Sequence, residues 1–495
     1  MKRQNINVRS LAEFSMESGD LRAAMMMLDR MQDGMHGHKM LQGGYPAGYK
    51  SEVSVSLDVE VDGVPLRVVG RIDGLNLGGE PPLIDEIKTT QRDPSMIGEM
   101  DFPVHWAQAE IYAHIVCVQH QLPRAIVRLS YYNLNGSCQM FEHEHTAKEL
   151  REIFLGYARP YAEWLKALAE WQGISLPTQS ALAFPFAQYR EGQRDMAANA
   201  YVAIREKKNL LVQAPTGIGK TAGALFPAIK ALGEGQTSRI FYLTARTTTR
   251  AVAEQTIERM RQEGLRIRSL TLTAKEKMCL YPGERCSPDL CERARGYFDK
   301  RRAAIMEALG IERLTRDAIE QLAERHEVCP FELSLDLSEI SDVVIGDYNH
   351  AFDPRVKLKR FFLDKGDYCL LIDEAHNLID RSREMLSSSI DQRMFSALRR
   401  DLGRLLGKRH PLYACLTELI DAFNALREQY DQPTMEQEPP ISLTEPLKQF
   451  AADVAPMVEG GSPALVDAYF AALGYLRACE MFDGSYRTLI EPSEK

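Results

Sequence analysis

The sequence predicts an α/β protein of several domains. An N-terminal domain is built on hairpin strands, a parallel-sheet domain surrounds a phosphate-binding loop, and a helical stretch follows. Three observations carry this. Residues 53–61 alternate strictly, with Val53, Val55, Leu57, Val59 and Val61 facing one way and Ser54, Ser56, Asp58 and Glu60 the other, as in a half-buried strand. From about residue 185, short continuous apolar runs alternate with helical stretches, the pattern of a parallel sheet covered on both faces. After residue 380 the pattern is almost wholly helical.

The elements follow in order. Asp62-Gly63 is a hairpin turn between the first strand and a second over Val64–Asp73; a turn cluster at Gly78–Pro82 precedes a third strand, Leu83–Lys88. Residues 105–121 read as a helix, 125–134 with 138–143 as another hairpin, and 147–171 as an amphipathic helix bent at Pro160. This closes a domain over residues 1–172, and 173–184 reads as a linker. In the next domain, strands are expected at Asn209–Gln213, Arg239–Thr244, Val343–Ile345 and Cys369–Ile372. That domain covers 185–275 and 341–380, with 276–340 inserted; 381–495 is a helical segment broken by a polar loop, Asp431–Pro440.

The composition sets limits. With 495 residues, 45% of them hydrophobic, the chain has room for about three domains at ~150 residues each. Sixty basic residues against 69 acidic ones give a net charge of −9, which excludes a globally basic nucleic-acid binder but not a locally basic groove. No apolar run reaches the ~20 residues that span a bilayer, and no signal peptide is visible, so no membrane partner is expected. Nine cysteines without a secretory signal point to a reducing cytoplasm.

Ala214-Pro215-Thr216-Gly217-Ile218-Gly219-Lys220-Thr221 lies between an expected strand and a helix, the context of a P-loop. Its backbone N–H groups would cradle phosphates at a helix N-terminus, with Lys220 on the β/γ-phosphates and Thr221 on Mg²⁺. Ala214 departs from the usual leading glycine. Downstream, the apolar run Cys369–Ile372 ends in Asp373-Glu374-Ala375-His376. Asp373 is placed to hold Mg²⁺, and Glu374 to orient and deprotonate an attacking water. Together the two motifs predict binding and hydrolysis of a nucleoside triphosphate.

These segments resemble the iron–sulfur superfamily 2 DNA helicases of the XPD/DinG group. The likeness rests on Ala214–Gly217 and Asp373–Leu378, and on Tyr189-Arg190-Glu191-Gly192-Gln193, which resembles the segment near the adenine. It also rests on Tyr242–Thr247, which resembles a DNA-backbone motif, and on Asp347–Asp353, which resembles the segment before the Asp-Glu-Ala-His box. The resemblance implies a RecA-like motor domain with Gln193, Thr216, Gly217, Gly219, Lys220, Thr221, Asp373 and His376 around ATP. It also implies that residues 381–495 begin a helical arch-like segment.

Four of the nine cysteines, Cys279, Cys286, Cys291 and Cys329, fall within 51 residues, spaced Cys-x6-Cys-x4-Cys-x37-Cys. Clustered thiols without short Cys-x2-Cys pairs predict a metal site unlike a zinc ribbon. The resemblance, including Cys329-Pro330-Phe331-Glu332, makes it a four-iron four-sulfur (4Fe–4S) subdomain. Arg293, Arg295, Lys300, Arg301 and Arg302 are either phosphate contacts or a solvated helix face.

In the N-terminal domain, Asp73 ends one strand and Glu86-Ile87-Lys88 the next. Two acids and a lysine at adjacent strand ends suit a Mg²⁺ or Mn²⁺ ion and a metal-activated water. Gly70–Gly74 and Ile84–Thr90 resemble motifs of the RecB-type PD-(D/E)XK nucleases, which have a restriction-endonuclease-like fold. The resemblance adds His38 as a metal ligand and Gln108 with Tyr112 as a substrate-binding Gln-x-x-x-Tyr pair, one helical turn apart. Glu52 is a further acid of this region. Only Cys117 and Cys138 lie in the domain, so no cluster is expected there.

The leading expectation is an ATP-dependent DNA helicase, 5′ to 3′ by resemblance, fused to a metal-dependent deoxyribonuclease. It would act on single-stranded or forked DNA in repair or processing. Two alternatives stay open: a non-catalytic DNA-binding module, and a nuclease gated by nucleotide binding at the P-loop. No Gln-x-x-Gly-Arg-x-x-Arg motif follows Asp373. The sequence therefore predicts a fragment without the second motor domain, or one that needs a partner subunit, and a chain that alone binds ATP but hydrolyses it poorly.

Overall fold

The computed structural model describes all residues except 1–2, 22–39, 46–47, 91–92, 134–135, 283–285, 364, 459–460 and 493–495. The chain divides into two units. The first holds residues 1–347 and 365–373, the second residues 348–364 and 374–495.

The first unit contains two sheets. Strand β1 (Gln4–Asn7) leads into helix α1 (Val8–Met16), followed by β2 (Tyr49–Val61), β3 (Val64–Asn76) and β4 (Leu83–Thr89). Helix α2 (Pro103–His120) precedes β5 (Arg124–Tyr132), β6 (Cys138–Thr146) and the long helix α3 (Ala147–Ser180). The strands are ordered β1-β3-β4-β5-β6, with β2 on β3. β3 and β4 run antiparallel, with Gly74 opposite Asp85, while β4 and β5 run parallel. The predicted alternation holds, since Val55 and Val61 are buried and Asp58 and Glu60 exposed. α1, α2 and α3 close the core, in which Leu11, Ile72, Ile111, Leu150 and Phe154 are almost wholly buried.

The second sheet is five-stranded and parallel, ordered β11-β7-β10-β8-β9. Its strands are β7 (Arg239–Leu243), β8 (Ser269–Thr271), β9 (Arg313–Leu314), β10 (Val343–Gly346) and β11 (Tyr368–Ile372). Helices α4 (Gln193–Arg205), α5 (Lys220–Gly233) and α6 (Thr247–Gln262) belong to this sheet domain.

The sequence reading needs four corrections. α3 runs through Pro177 to Ser180, so most of the expected linker is helix. Its attachment is specific: Trp171 donates to Asp342 at 3.2 Å, and the Arg268 guanidinium lies 4.4 Å from its ring centroid. Second, Asn209–Gln213 forms no strand, and Leu211 is 93% exposed. The segment has strand composition but no ladder partner, because β11 at the sheet edge pairs only with β7 among the described residues. Third, the insert is not separate from the motor sheet, since its strand β9 extends that sheet beyond β8. Fourth, residues 348–364 and 374–380 fall in the second unit rather than with the parallel sheet.

That second unit is mostly helical. Its core includes Phe395, Leu416, Leu419, Leu447 and Phe450, with the Phe395 and Phe450 rings edge-on at 5.3 Å. The expected polar loop carries a short strand, Thr434–Glu436, paired antiparallel with Thr488–Ile490. No described helix is long and apolar enough to cross a membrane.

Candidate functional sites

The phosphate loop is shaped by two residues with positive φ, Gly217 at 87° and Gly219 at 81°, a region L-residues avoid. Gly219 is the N-cap of α5, so the loop delivers its N–H groups at the positive end of that helix. Gln193, 3% exposed, locks the loop from behind. Its amide nitrogen donates to the Gly219 carbonyl at 3.0 Å, and its oxygen accepts from the Arg190 N–H at 3.0 Å. The Arg190 guanidinium donates to the Gly217 carbonyl. Arg190, Glu191, Gly192, Pro215, Gly217 and Ile218 line a cavity of about 390 Å³. Thr216 is exposed in the loop and Lys220 half-buried at its end.

Asp373 follows β11, and its N–H donates to the Leu243 carbonyl at 2.9 Å. Tyr242, 2% exposed on β7, donates its hydroxyl to the Asp373 carboxylate at 2.9 Å and lies 3.5 Å from the Thr221 hydroxyl. The structure thus brings together Gln193, Gly219, Thr221 and Asp373. Tyr242 heads the segment read as a DNA-backbone motif, and its contact with Asp373 across neighbouring strands was not expected. A hydroxyl and a carboxylate that meet the same Tyr242 hydroxyl are oxygen donors of the kind that suits Mg²⁺, which takes few protein oxygens and keeps water and phosphate ligands.

Glu374 and His376 belong to the second unit. Glu374 has φ 52° and ψ 44°, a conformation seldom adopted outside glycine and concentrated at functional sites. Its carbonyl accepts from Tyr348 and from Asn377, each at 3.1 Å, and its carboxylate lies 3.5 Å from the exposed His376 ring.

In the N-terminal domain Asp73 on β3 and Glu86 on β4 lie on paired neighbouring strands. Asp73 and Glu86 are 8% and 6% exposed. The Asp73 carboxylate accepts the Ile87 N–H at 2.8 Å, and the Lys88 ammonium donates to Glu86 and to the Gln108 oxygen, each at 2.7 Å. Tyr112 accepts the Arg71 N–H at 3.3 Å; burial first, then the Glu86 and Asp73 carboxylates, push its hydroxyl pKa up. Gln108 and Tyr112 are both buried. They therefore hold the site from inside instead of presenting an open face to substrate. Glu52 is tied to Arg71 at 2.6 Å, and His38 lies outside the described residues. Among the described residues, no three His, Cys, Asp or Glu side chains stand close enough to share a metal ion. Two buried carboxylates still fit Mg²⁺ or Mn²⁺, which binds through one or two such groups plus water.

The four cysteines are unpaired, with Cys329 buried and Cys279, Cys286 and Cys291 half-buried. Three share surroundings: Lys275 donates to Cys286 and faces Cys279, and Cys286 faces Cys329. Burial pushes the Cys329 thiol up to about 11. The donor set suits an iron–sulfur cluster chemically, though the thiols are not drawn into a shared coordination shell. The nearby cations are engaged within the chain. Arg293 and Arg295 donate to backbone carbonyls, Lys300 pairs with Glu327 and Arg301 with Glu17 and Asp336; Arg302 lies over Phe14. Arg301 is held within the chain, whereas Arg295 stays exposed.

Comparison with known proteins bears on the P-loop region. Residues 192–281 match the DEAD/DEAH box helicase family, and residues 244–395 match the DEAD_2 family. The chain carries DEAD/DEAH-type helicase domains. It is 24% identical over 263 residues, 42% of its length, to the regulator of telomere elongation helicase 1 homolog of Caenorhabditis elegans. It is 32% identical over 81 residues, 16% of its length, to the Fanconi anemia group J protein homolog of Gallus gallus. These matches span 26% and 6% of the two relatives, so the chain covers only a minor part of each. A solved structure titled as an XPD helicase aligns with a TM-score of 0.39 at 18% identity, covering 62% of this chain and 54% of that one.

Proposed function

We propose that the chain is the ATP-binding part of a DNA helicase of the XPD/DinG type, joined to a metal-dependent deoxyribonuclease. The observation that carries the helicase reading is the approach of Thr221 and Asp373 through Tyr242. In this reading the P-loop N–H groups and Lys220 hold the phosphates, and Thr221 and Asp373 hold Mg²⁺, which neutralises phosphate charge. Glu374 orients the attacking water and takes its proton. His376 acts at the same nucleotide, and translocation runs 5′ to 3′ along single-stranded or forked DNA. The test is titration with a fluorescent ATP analogue: wild type binds and Lys220→Ala does not. Equal binding by both would refute the reading.

The nuclease reading rests on the Asp73 carboxylate accepting the Ile87 N–H and on Lys88 joining Glu86 to Gln108. When bound, Mg²⁺ or Mn²⁺ supplies an acidified water and charge neutralisation. Asp73 and Glu86 would hold it, with His38 as a further ligand, and Lys88 would orient the water. End-labelled single-stranded DNA is digested with Mn²⁺ by wild type and not by Lys88→Ala in this account. Equal digestion by both would assign the activity elsewhere. The four cysteines Cys279, Cys286, Cys291 and Cys329 are proposed to hold a 4Fe–4S cluster.

A further inference from the structure

Asp85 is out of place by the logic of its strand. Its neighbours Leu83, Ile84 and Ile87 are buried and apolar, and Asp85 itself is 0% exposed. A buried carboxylate costs free energy unless it is well bonded, and an apolar side chain of similar volume would often be more stable. Local departures of this kind concentrate where function is served.

The bonds that Asp85 makes point to that function. One carboxylate oxygen accepts from Ser130 on β5 at 2.7 Å. The other accepts from the Tyr45 hydroxyl at 2.9 Å, with an Arg128 nitrogen 3.8 Å away. Tyr45 in turn rests on Gly74, the residue after Asp73: a Cβ placed there would lie 2.3 Å from the Tyr45 oxygen. Three residues before Tyr45, the Gln42 amide donates to the Asp73 carbonyl and to Glu52, each at 3.0 Å. Residues 42–45 therefore hold the backbone that follows the Asp73 Cα, through its carbonyl and through Gly74. The grip is anchored on Asp85, the residue before Glu86, so one network ties the backbone beside Asp73 to the backbone beside Glu86.

We infer that Asp85, acting through Tyr45, is a positioning residue that sets the geometry of Asp73 and Glu86 for a divalent metal ion. The inference rests on the nuclease reading above. Partners behind metal ligands matter to affinity, and their loss typically costs ~10–100-fold.

Mn²⁺ binding to the full chain, followed by electron paramagnetic resonance of the free ion, separates the possibilities. The candidate site is defined as the binding that wild type shows and Asp73→Asn lacks. Tyr45→Phe keeps the ring on Gly74 and removes only the hydroxyl. It should weaken that site ~10-fold or more, as should Asp85→Asn, while thermal unfolding of Tyr45→Phe shows the domain still folded. A purely structural role would lower the melting temperature and leave Mn²⁺ affinity as in wild type, which overturns the inference while the metal site stands. If Asp73→Asn binds Mn²⁺ as wild type does, the nuclease reading itself fails, and the inference with it.

Discussion

Gly217 and Gly219 provide a paired test of the phosphate loop. Both have positive φ, but a Cβ on Gly217 meets nothing within 4 Å, whereas one on Gly219 would lie 2.3 Å from the Gln193 amide nitrogen. Alanine at either position pays about 1–2 kcal/mol for the left-handed backbone. The loop then leaves the cradle conformation, and nucleotide must draw it back. At 1.4 kcal/mol per decade, Gly217→Ala should weaken ATP binding roughly 5–30-fold. Gly219→Ala also displaces Gln193 from its hydrogen bond to Gly219, a further loss of about 0.5–1.5 kcal/mol. Its affinity should fall roughly 10–400-fold. The assay is titration with a fluorescent ATP analogue, repeated in a Gln193→Ala background. With the amide gone, the extra penalty at 219 disappears and the two glycine variants become equal. Wild-type affinity in Gly219→Ala, or no difference between the two variants with Gln193 present, would refute the reasoning.

Other consequences follow from the same structure. Tyr242→Phe removes the hydroxyl bonded to Asp373 and should lower unfolding stability by about 1.5–3 kcal/mol, the range for hydrogen bonds to charged groups; an unchanged urea midpoint would contradict this. Anaerobically purified protein should be brown, with about four irons per chain, and should lose that colour in Cys286→Ser; a colourless protein with one zinc would contradict the cluster. Burial first, then Lys88 and Arg9, hold His105 down at about 3, against ~6.5 in an unfolded chain. The unfolded chain therefore takes up a proton below pH ~6.5 that the folded one refuses. This contribution to stability is complete above that pH and is lost as pH falls toward 3. His105→Gln should flatten the decline in melting temperature between pH 7 and 4.5, and an identical decline would show that other groups cause it.

Much of the N-terminal fold was legible because it is local. Strict alternation in 53–61, the Asp62-Gly63 turn and the turn cluster at Gly78–Pro82 before Leu83–Lys88 mark out β2, β3 and β4 without long-range information. Asp73, Glu86 and Lys88 were read at strand ends, but β3 runs on to Asn76 and Glu86 sits in the middle of β4. The failures were tertiary. Asn209–Gln213 has strand composition, but a strand needs a partner. Residues 173–184 were read as a linker, yet α3 continues through Pro177 to Ser180, where packing on the parallel-sheet domain outweighs local preference. Tyr45 and Ser130 gave no sequence signal, since each acts through a residue 40 or more positions away; Tyr242 stood out only as part of Tyr242–Thr247, not as a partner of Asp373. The arginines of 293–302 read equally well as surface or phosphate contacts, and only the fold shows them bonded to the chain.

The central claim is that Thr221 and Asp373 share the magnesium ion of a bound nucleotide. Calorimetric titration with ATP, with and without Mg²⁺, tests it most directly in wild type and Asp373→Asn. The account predicts one site per chain whose affinity rises with Mg²⁺ in wild type and is indifferent to Mg²⁺ in the variant. An equal magnesium effect in both proteins, or no ATP binding by wild type, would contradict it.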